Sequence, residues 1–270
     1  MKLVARDLVA GYPGHQPVLR GASVTLPSGG RIALLGANGC GKTTLLRCLS
    51  GAHQPTEGTI HRDATPLDHG RRGLRAHREA VQLVLQDPAD QLFSADVAQD
   101  VSFGPLNMGL PADEVGARVA DTLQRLGITH LAERATHHLS YGEQKKAAIA
   151  GAVAMRPAVL LLDEPTAGLD PVGVADMRAI LDDLHADGTT LLVATHDVDF
   201  ALAWAEDAAV IHDGAVTQGP VDRILADTTL VAQARLEAPG PLQLARLLGL
   251  TEHPRTIAEA AALIANRTIG

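Results

Sequence analysis

The sequence predicts an α/β fold in which a parallel sheet is covered by helices on both faces. The segments 159–162 and 191–194 are apolar throughout and alternate with helical segments, which is typical of strands in such a sheet. A glycine-rich loop lies between a third apolar segment, 31–35, and a helix expected at about 42–50. The earlier segments 2–9 and 18–26 favour strands, so we expect the N-terminal part to be β-rich.

The composition limits the class of protein. The chain has 23 Lys and Arg against 31 Asp and Glu, a net charge of -8, so we expect no nucleic-acid partner. No apolar run approaches the roughly 20 residues that span a bilayer, and the first residues lack the apolar core of a signal peptide. Cys40 and Cys48 are expected to be free thiols in a reducing compartment, in preference to a disulfide.

The remaining segments indicate a subdomain and a tail. Residues 61–138 are polar and rich in Arg and His, and their second half is expected to be helical. Further helices are expected at about 140–155, 171–186 and 197–205, and short strands around Val210 and Val216. Near the C-terminus, Thr256 and Glu259 have capping-box spacing at the start of a helix. We therefore expect a main domain over 1–219, with a helical subdomain at about 87–155, and a small helical extension over 220–270.

The glycine-rich loop fits the phosphate-binding pattern G-x-x-x-x-G-K-[ST]. It reads Gly36-Ala37-Asn38-Gly39-Cys40-Gly41-Lys42-Thr43, and Thr44 follows it. Glycines let backbone N–H groups curl around phosphate oxygens, and the helix behind the loop adds its positive end. The pattern predicts that Lys42 reaches the β- and γ-phosphates and that the Thr43 hydroxyl binds Mg²⁺.

Two carboxylates follow the apolar strand at 159–162. Asp163 and Glu164 lie at the carboxyl end of this strand, where ligands of open α/β sheets bind. We expect Asp163 to hold Mg²⁺ and Glu164 to polarise the water that attacks the γ-phosphorus. An acidic strand end is common by itself, but together with the glycine loop it predicts a nucleotide-hydrolysing site.

A third segment, Leu139-Ser140-Tyr141-Gly142-Glu143, opens a helix upstream of the acidic strand. It resembles the signature peptide of ABC ATPases, which usually reads L-S-G-G-Q, and Tyr141 and Glu143 depart from the commonest residues. A Ser/Gly helix N-terminus is also a general anion site. The resemblance implies a P-loop NTPase of ABC type, in which Ser140 and Gly142 contact the γ-phosphate of ATP bound to a second subunit.

Four more positions match motifs of the same family. Tyr12 matches the aromatic residue that stacks on adenine, although a core tyrosine is the alternative. Gln86 matches the glutamine that links the γ-phosphate and Mg²⁺ to the membrane partner. Asp170, in Ala167-Gly168-Leu169-Asp170, matches the loop that crosses the dimer interface, and His196 matches the histidine that senses the γ-phosphate. The resemblance thus implies that Glu164, His196 and Gln86 are the catalytic residues.

The stretch from Gln86 to Leu110 resembles the ATPase subunits of energy-coupling-factor importers, which take up vitamins or transition-metal ions. It reads DPADQLF at 87–93 and DVSFGPLNMGL at 100–110, and the tail after Gly219 is most similar to the cobalt and nickel subgroup. The resemblance implies an ATP-hydrolysing motor subunit that uses ATP and Mg²⁺ at the cytoplasmic face of the cell membrane. The implied partners are a second ATPase subunit (the same chain or a paralogue), a transmembrane coupling protein and a substrate-binding membrane protein.

Two alternatives stay open at this point. The chain could serve a vitamin importer, or it could be a non-transport ABC ATPase such as an assembly factor. DNA-maintenance members of the family place a long coiled coil between the glycine loop and the signature. Here fewer than a hundred residues separate Lys42 from Ser140, without sustained heptads.

The stretch after Gln86 is also expected to dock the coupling protein. Its apolar residues Leu92, Phe93 and Phe103 are expected to form an exposed patch with an acidic rim, as interaction sites often do. The residues expected in this rim are Asp90, Asp96 and Asp100. The alternative is that the two phenylalanines fill the small core of the helical subdomain itself.

Overall fold

A computed structural model describes residues 1–268 of the chain. Over that range the strands and helices are, in chain order, β1 Leu3–Ala10, β2 Leu19–Leu26, β3 Arg31–Leu35, α1 Lys42–Leu49, β4 Glu57–Arg62, β5 Thr65–Pro66, α2 Arg71–Ala80, β6 Val81–Val84, α3 Val97–Asn107, α4 Ala112–Arg125, α5 Tyr141–Val153, β7 Val159–Asp163, α6 Pro171–Ala186, β8 Thr190–Ala194, α7 Val198–Trp204, β9 Asp207–His212, β10 Ala215–Pro220, α8 Val221–Ala226, α9 Thr228–Gln233, α10 Gly240–Leu247 and α11 Ile257–Thr268. None of the helices in this described part has the length and apolar character needed to cross a membrane.

The larger of two sheets has six strands in the order β10-β9-β3-β8-β7-β6. The strands from β9 to β6 are parallel, and β10 pairs antiparallel with β9 at one edge. The predicted parallel sheet is therefore confirmed, with an antiparallel edge strand added. Parallel strands end at the same edge of a sheet, so the glycine loop after β3 and the acidic residues at the end of β7 come together on either side of β8.

Both faces of the six-stranded sheet are covered, as predicted. Leu161 of β7 packs into a core shared with α1 and the N-terminal strands, whereas Leu160 and Leu162 pack into a core shared with the helices on the opposite face. All three leucines are fully buried. Successive side chains of a strand point to opposite faces, and this double burial explains why β7 is apolar at every position before Asp163.

The N-terminal part forms the second sheet, which is antiparallel and has the order β2-β1-β4-β5. Its apolar side chains join α1 in one core against the six-stranded sheet, so this sheet backs the helix that follows the glycine loop. The predicted β-rich N-terminal part is therefore confirmed for β1 and β2. Strands β4 and β5 are not predicted from the sequence, because both are short and mostly exposed and lack an apolar alternation.

The polar middle of the chain contains more structure than the sequence analysis predicted. Helix α2 and strand β6 lie within 61–138, and β6 pairs in parallel with β7 at the edge of the large sheet. Because β6 has only four residues and includes Gln82, it shows no continuous apolar run. Its pairing with β7 decides where the chain leaves the sheet and so where Gln86 lies.

The C-terminal helices pack into the main core. Val221 and Leu225 of α8 and Leu230 and Val231 of α9 are buried in the same cluster as the parallel strands. The predicted capping box at α11 is half present. The Thr256 hydroxyl accepts from the Glu259 backbone N–H at 3.1 Å, but the Glu259 carboxylate accepts from the N–H of residue 255, at 2.7 Å, and not from that of Thr256. The boundary at residue 219 stays a prediction.

Removal of the residues after Pro220 tests this boundary. Each buried Val or Leu side chain contributes about 1.5–3 kcal/mol, and each lost kcal/mol lowers the Tm of a chain of this size by about 2–4 °C. We expect the truncated chain to melt about 10 °C or more below the full chain, or to be insoluble. The milder Leu225→Ala is expected to cost about 2–5 kcal/mol in urea unfolding. An unchanged Tm in both variants would mean that the tail is an independent appendage.

Candidate active site

The glycine loop has a backbone that requires glycine at two positions. Gly36 has φ 150° and Gly41 has φ 115°, both in the region that side chains rarely adopt. A Cβ atom on Gly36 would lie 2.6 Å from the Cys40 sulfur and 2.8 Å from the Ile211 carbonyl oxygen. The loop therefore turns tightly against β9 and leads directly into α1.

Cys40 and Cys48 are both free thiols, as predicted.

Lys42 and Thr43, the first residues of α1, face two different partners. The buried Lys42 ammonium donates to the Gly36 carbonyl at 2.7 Å, which holds it over its own loop. The Thr43 hydroxyl donates to Oδ2 of Asp163 at 2.6 Å. Burial raises the pKa of the Asp163 carboxyl above its ordinary value, and the bond from Thr43 opposes that rise. The contact between Thr43 and Asp163 joins the glycine loop to the acidic strand end.

A cavity of about 400 Å³ opens above this contact. It contains most of the residues predicted to bind nucleotide or metal. Its lining residues are Tyr12, Val18, Asn38, Gly39, Gly41, Lys42, Thr43, Thr44, Gln86, Asp163 and Glu164. The fold thus brings the start of α1 and the chain that follows β1, β3, β6 and β7 around one polar cavity at the edge of the sheet.

The oxygen-bearing side chains that line this cavity are suited to bind Mg²⁺. The Thr43 hydroxyl and the Asp163 carboxylate are already in contact, and the Gln86 side chain lines the same cavity. All three provide oxygen atoms, and Mg²⁺ prefers oxygen ligands, with few protein carboxylates and further positions left for phosphates and water. The arrangement is therefore suited to a magnesium–nucleotide complex.

Glu164 is buried, and its carboxylate contacts His196. The two carboxylate oxygens lie 3.0 and 2.9 Å from Nδ1 of His196, whose side chain is 66% exposed. The backbone of Glu164 has φ 48°, which is unusual for a residue other than glycine. Glu164 also lines the cavity. An acid that is anchored by an imidazole at a cavity wall can accept a proton from a bound water.

Tyr12 lies at the wall of the cavity and not in a core. Its side chain is partly exposed, its hydroxyl accepts from Arg47 at 3.2 Å, and its ring lies 5.3 Å from the ring of His53. The alternative of a core tyrosine is therefore wrong. An exposed ring beside the phosphate loop is available to stack on a purine base.

The signature segment lies on the surface and away from this cavity. Ser140 is exposed and caps α5 through a capping box with Glu143, at 2.7 and 3.4 Å. Of the residues that the structure describes around the cavity, neither Ser140 nor Gly142 contributes to the lining. Asp170 is exposed too, and it caps α6 by accepting from the Gly173 N–H at 2.7 Å. Within one chain the structure therefore does not bring these three residues to the phosphate loop.

A larger groove, of about 700 Å³, lies between α2, α3 and α5. Phe93 and Phe103 line it and are 64% and 49% exposed, with their rings edge to face at 4.7 Å. They do not fill the core of the subdomain, so that alternative is wrong. Arginines of α2 form part of one wall; they are Arg71, Arg75 and Arg78.

Two residues predicted for this patch are placed differently. Leu92 is half-buried and packs against the main core. Asp100 is buried and accepts from the backbone N–H groups of Phe93 and Ser94 at 3.0 and 2.9 Å. The predicted acidic rim is therefore wrong at Asp100, because this carboxylate shapes the loop that presents Phe93.

One buried residue beside the site was not singled out from the sequence. Lys145 of α5 is 4% exposed, and its ammonium donates to the Glu164 carbonyl at 2.6 Å. In the sequence it is followed by Lys146, which forms an exposed pair with Asp176. The sequence does not distinguish these two neighbouring lysines; the orientation of α5 in the folded chain does.

Taken together, the fold and the loop define a P-loop ATPase, and comparisons with known proteins specify the family. Residues 19–167 match the family described as ABC transporter. A Streptomyces coelicolor protein named as an ABC transporter ATP-binding protein, without a cargo, is 51% identical over 96% of this chain and 93% of its own length. The cobalt import ATP-binding protein CbiO of Rhodobacter capsulatus is 46% identical over 90% of this chain and 87% of its own length.

Two further comparisons concern the energy-coupling-factor branch. The energy-coupling factor transporter ATP-binding protein EcfA of Methanosphaera stadtmanae is 41% identical over 88% of this chain and 86% of its own length. The structure of cbiO1 from Clostridium perfringens, part of the ABC transporter complex cbiONQ, aligns with TM-score 0.77 and 40% identity, covering 92% of this chain and 98% of that chain. The chain therefore belongs to the ABC transporter family, as an ATP-hydrolysing subunit of the energy-coupling-factor type.

Glu164→Gln tests the geometry of this site. The amide keeps the size of the side chain but cannot accept the proton of the attacking water, so ATP turnover is expected to fall about a hundredfold or more. ATP binding is expected to persist, and ATP-loaded chains to elute as a dimer in gel filtration. Lys42→Ala, in contrast, is expected to weaken ATP binding itself. Equal turnover in wild type and Glu164→Gln would rule out Glu164 as the base.

Proposed function

We propose that this chain is the motor subunit of an energy-coupling-factor importer for cobalt or nickel ions. The similarity over 90% of the chain to a protein named for cobalt import carries this proposal. Relatives named only for the energy-coupling factor are nearly as similar, at 41% identity, so a vitamin importer is the second candidate. Both candidates share one ATPase and differ only in the membrane protein that selects the cargo.

The proposed reaction uses residues of the polar cavity. The N–H groups of the glycine loop and the Lys42 ammonium bind the phosphates, and the Tyr12 ring stacks on adenine. Thr43, Asp163 and Gln86 would hold Mg²⁺, and the bound ion would supply positive charge against the phosphate oxygens. Glu164 accepts a proton from the attacking water.

His196 positions the carboxylate of Glu164 and senses the γ-phosphate in this proposal. The contact at 2.9 Å between the two side chains supports the first role, and the exposure of His196 supports the second. The reaction needs positioning and charge stabilisation more than covalent chemistry, and an anchored carboxylate provides the positioning.

The complete site is proposed to form between two subunits. Ser140 and Asp170 are exposed, Gly142 is half-buried, and all three lie outside the cavity lining of their own chain, so the exposed ones are available to the nucleotide of a second subunit. The start of α5 adds N–H groups and the positive end of a helix, which suit a phosphate. The second subunit can be the same chain or a paralogue.

The groove between α2, α3 and α5 is proposed to receive the transmembrane coupling protein. Its exposed phenylalanine pair is rimmed by polar side chains, which is typical of an interaction site. The segment that ends at Phe93 starts next to Gln86 in the nucleotide cavity, so the groove and the site share one loop. This docking would place the chain at the cytoplasmic face of the cell membrane.

Phe93→Asp tests the docking surface. The exposed side chain can be replaced without burying a charge, so the Tm and ATP binding are expected to stay unchanged, within about 0.5 kcal/mol in stability. The membrane partner is expected to be lost from the purified complex. Leu247→Asp is the matched control, because Leu247 is 79% exposed on α10 and does not line the groove. A Phe93→Asp chain that still co-purifies with the membrane protein would contradict docking at this residue.

Transport in proteoliposomes tests the cargo. The chain is co-purified with its membrane partners, reconstituted, and supplied with ATP and labelled Co²⁺ or Ni²⁺. We expect ATP-dependent uptake of one of these ions, and none with Glu164→Gln. Uptake of a vitamin would select the second candidate. An active ATPase with no membrane partner at all would favour a non-transport role such as an assembly factor.

A further inference from the structure

The backbone of Glu164 adopts a conformation that its neighbours must hold. Its φ of 48° is in the left-handed region, which costs a non-glycine residue energy unless the surroundings impose it. Its N–H donates to the Ala194 carbonyl at 2.8 Å, which fixes one side of the residue to β8. Its own carbonyl accepts from the Lys145 ammonium at 2.6 Å, which fixes the other side to α5, and also from the Ala167 N–H at 3.2 Å. Glu164 is thus held between two elements.

Lys145 has an environment that packing alone does not explain. It is 4% exposed on a helix whose other buried positions are mainly alanine, and a buried lysine is rare without a partner. Burial lowers the pKa of Lys145, while the carboxylates of Glu164, Asp163 and Asp87 oppose that shift. These acids come from the end of β7 and from the loop beside Gln86. The ammonium therefore lies where three parts of the site meet.

We propose that Lys145 is a positioning residue for ATP hydrolysis: its ammonium holds the carbonyl of Glu164, so that the carboxylate stays aimed at the cavity. The proposal rests on the proposed function, in which Glu164 is the base. Without the bond from Lys145, Glu164 can relax towards ordinary backbone angles, and its carboxylate leaves the water that it must activate. Because Ser140 caps α5, the helix that is proposed to contact the second nucleotide also carries this support.

Two substitutions and one control separate positioning from simple packing. Lys145→Met roughly keeps the length of the side chain but cannot donate a hydrogen bond, whereas Lys145→Gln keeps an N–H donor. Lys146→Met is the control, because Lys146 is the next residue of the same helix and pairs with Asp176 at 3.0 Å on the surface. Each full-length variant is assayed for kcat, KM for ATP, ATP affinity and Tm.

We expect Lys145→Met to lower kcat about tenfold to a hundredfold, since a small misplacement of a reacting group has an effect of that size. KM and ATP affinity are expected to stay within about twofold, because the phosphate loop is untouched. Lys145→Gln is expected to recover most of kcat, and Lys146→Met to behave as wild type. The double variant Lys145→Met/Glu164→Gln is expected to be no slower than Glu164→Gln alone, because Lys145 acts through Glu164.

Three results would overturn the proposal. A normal kcat in Lys145→Met while Glu164→Gln is inactive would do so and leave the proposed function intact. Equal losses in the Met and Gln variants, with a lowered Tm in both, would reduce Lys145 to a packing residue. A double variant slower than Glu164→Gln alone would show that Lys145 does not act through Glu164. Failure of the proposed function would be recognised by a different result: Glu164→Gln would itself keep normal ATP turnover.

Discussion

The hydrogen bond of 2.6 Å from the Thr43 hydroxyl to the Asp163 carboxylate joins segments that are 120 residues apart in the chain. It can form because β3 and β7 run parallel on either side of β8 and therefore end at the same edge of the sheet. The glycine loop, the acidic residues Asp163 and Glu164, and Gln86 all line the cavity at this shared edge. Every other feature of the site depends on that alignment.

The cavity also depends on a balance of buried charge. Lys42 and Lys145 are buried within the same region as Asp163 and Glu164. In a medium of low polarity an unpaired charge is costly, so each ammonium is bonded to a backbone carbonyl and stands near the acids. Removing one charge therefore affects the others.

The site and the groove are connected through short paths along the chain. The segment after β6 passes from Gln86 in the cavity to Phe93 in the groove, and the buried carboxylate of Asp100 fixes its far end. Helix α5 lines the groove near its C-terminal end, and the exposed Ser140 caps its N-terminal end. The segment after β6 and helix α5 therefore connect the cavity with the groove.

The glycine loop, the acidic strand end and the fully apolar strands could be predicted from the sequence, because each is a local pattern with a local physical cause. Strand β6 and the contact between the Tyr12 hydroxyl and Arg47 could not be predicted from the sequence. A four-residue edge strand and a single tyrosine have no distinctive sequence pattern. The expected acidic rim failed at Asp100 because a carboxylate on an exposed-looking helix can turn inward to backbone N–H groups. The sequence alone does not distinguish Lys145 from Lys146. Only the packing of α5 in the folded chain decides that the first is buried beside Glu164 and that the second pairs with Asp176.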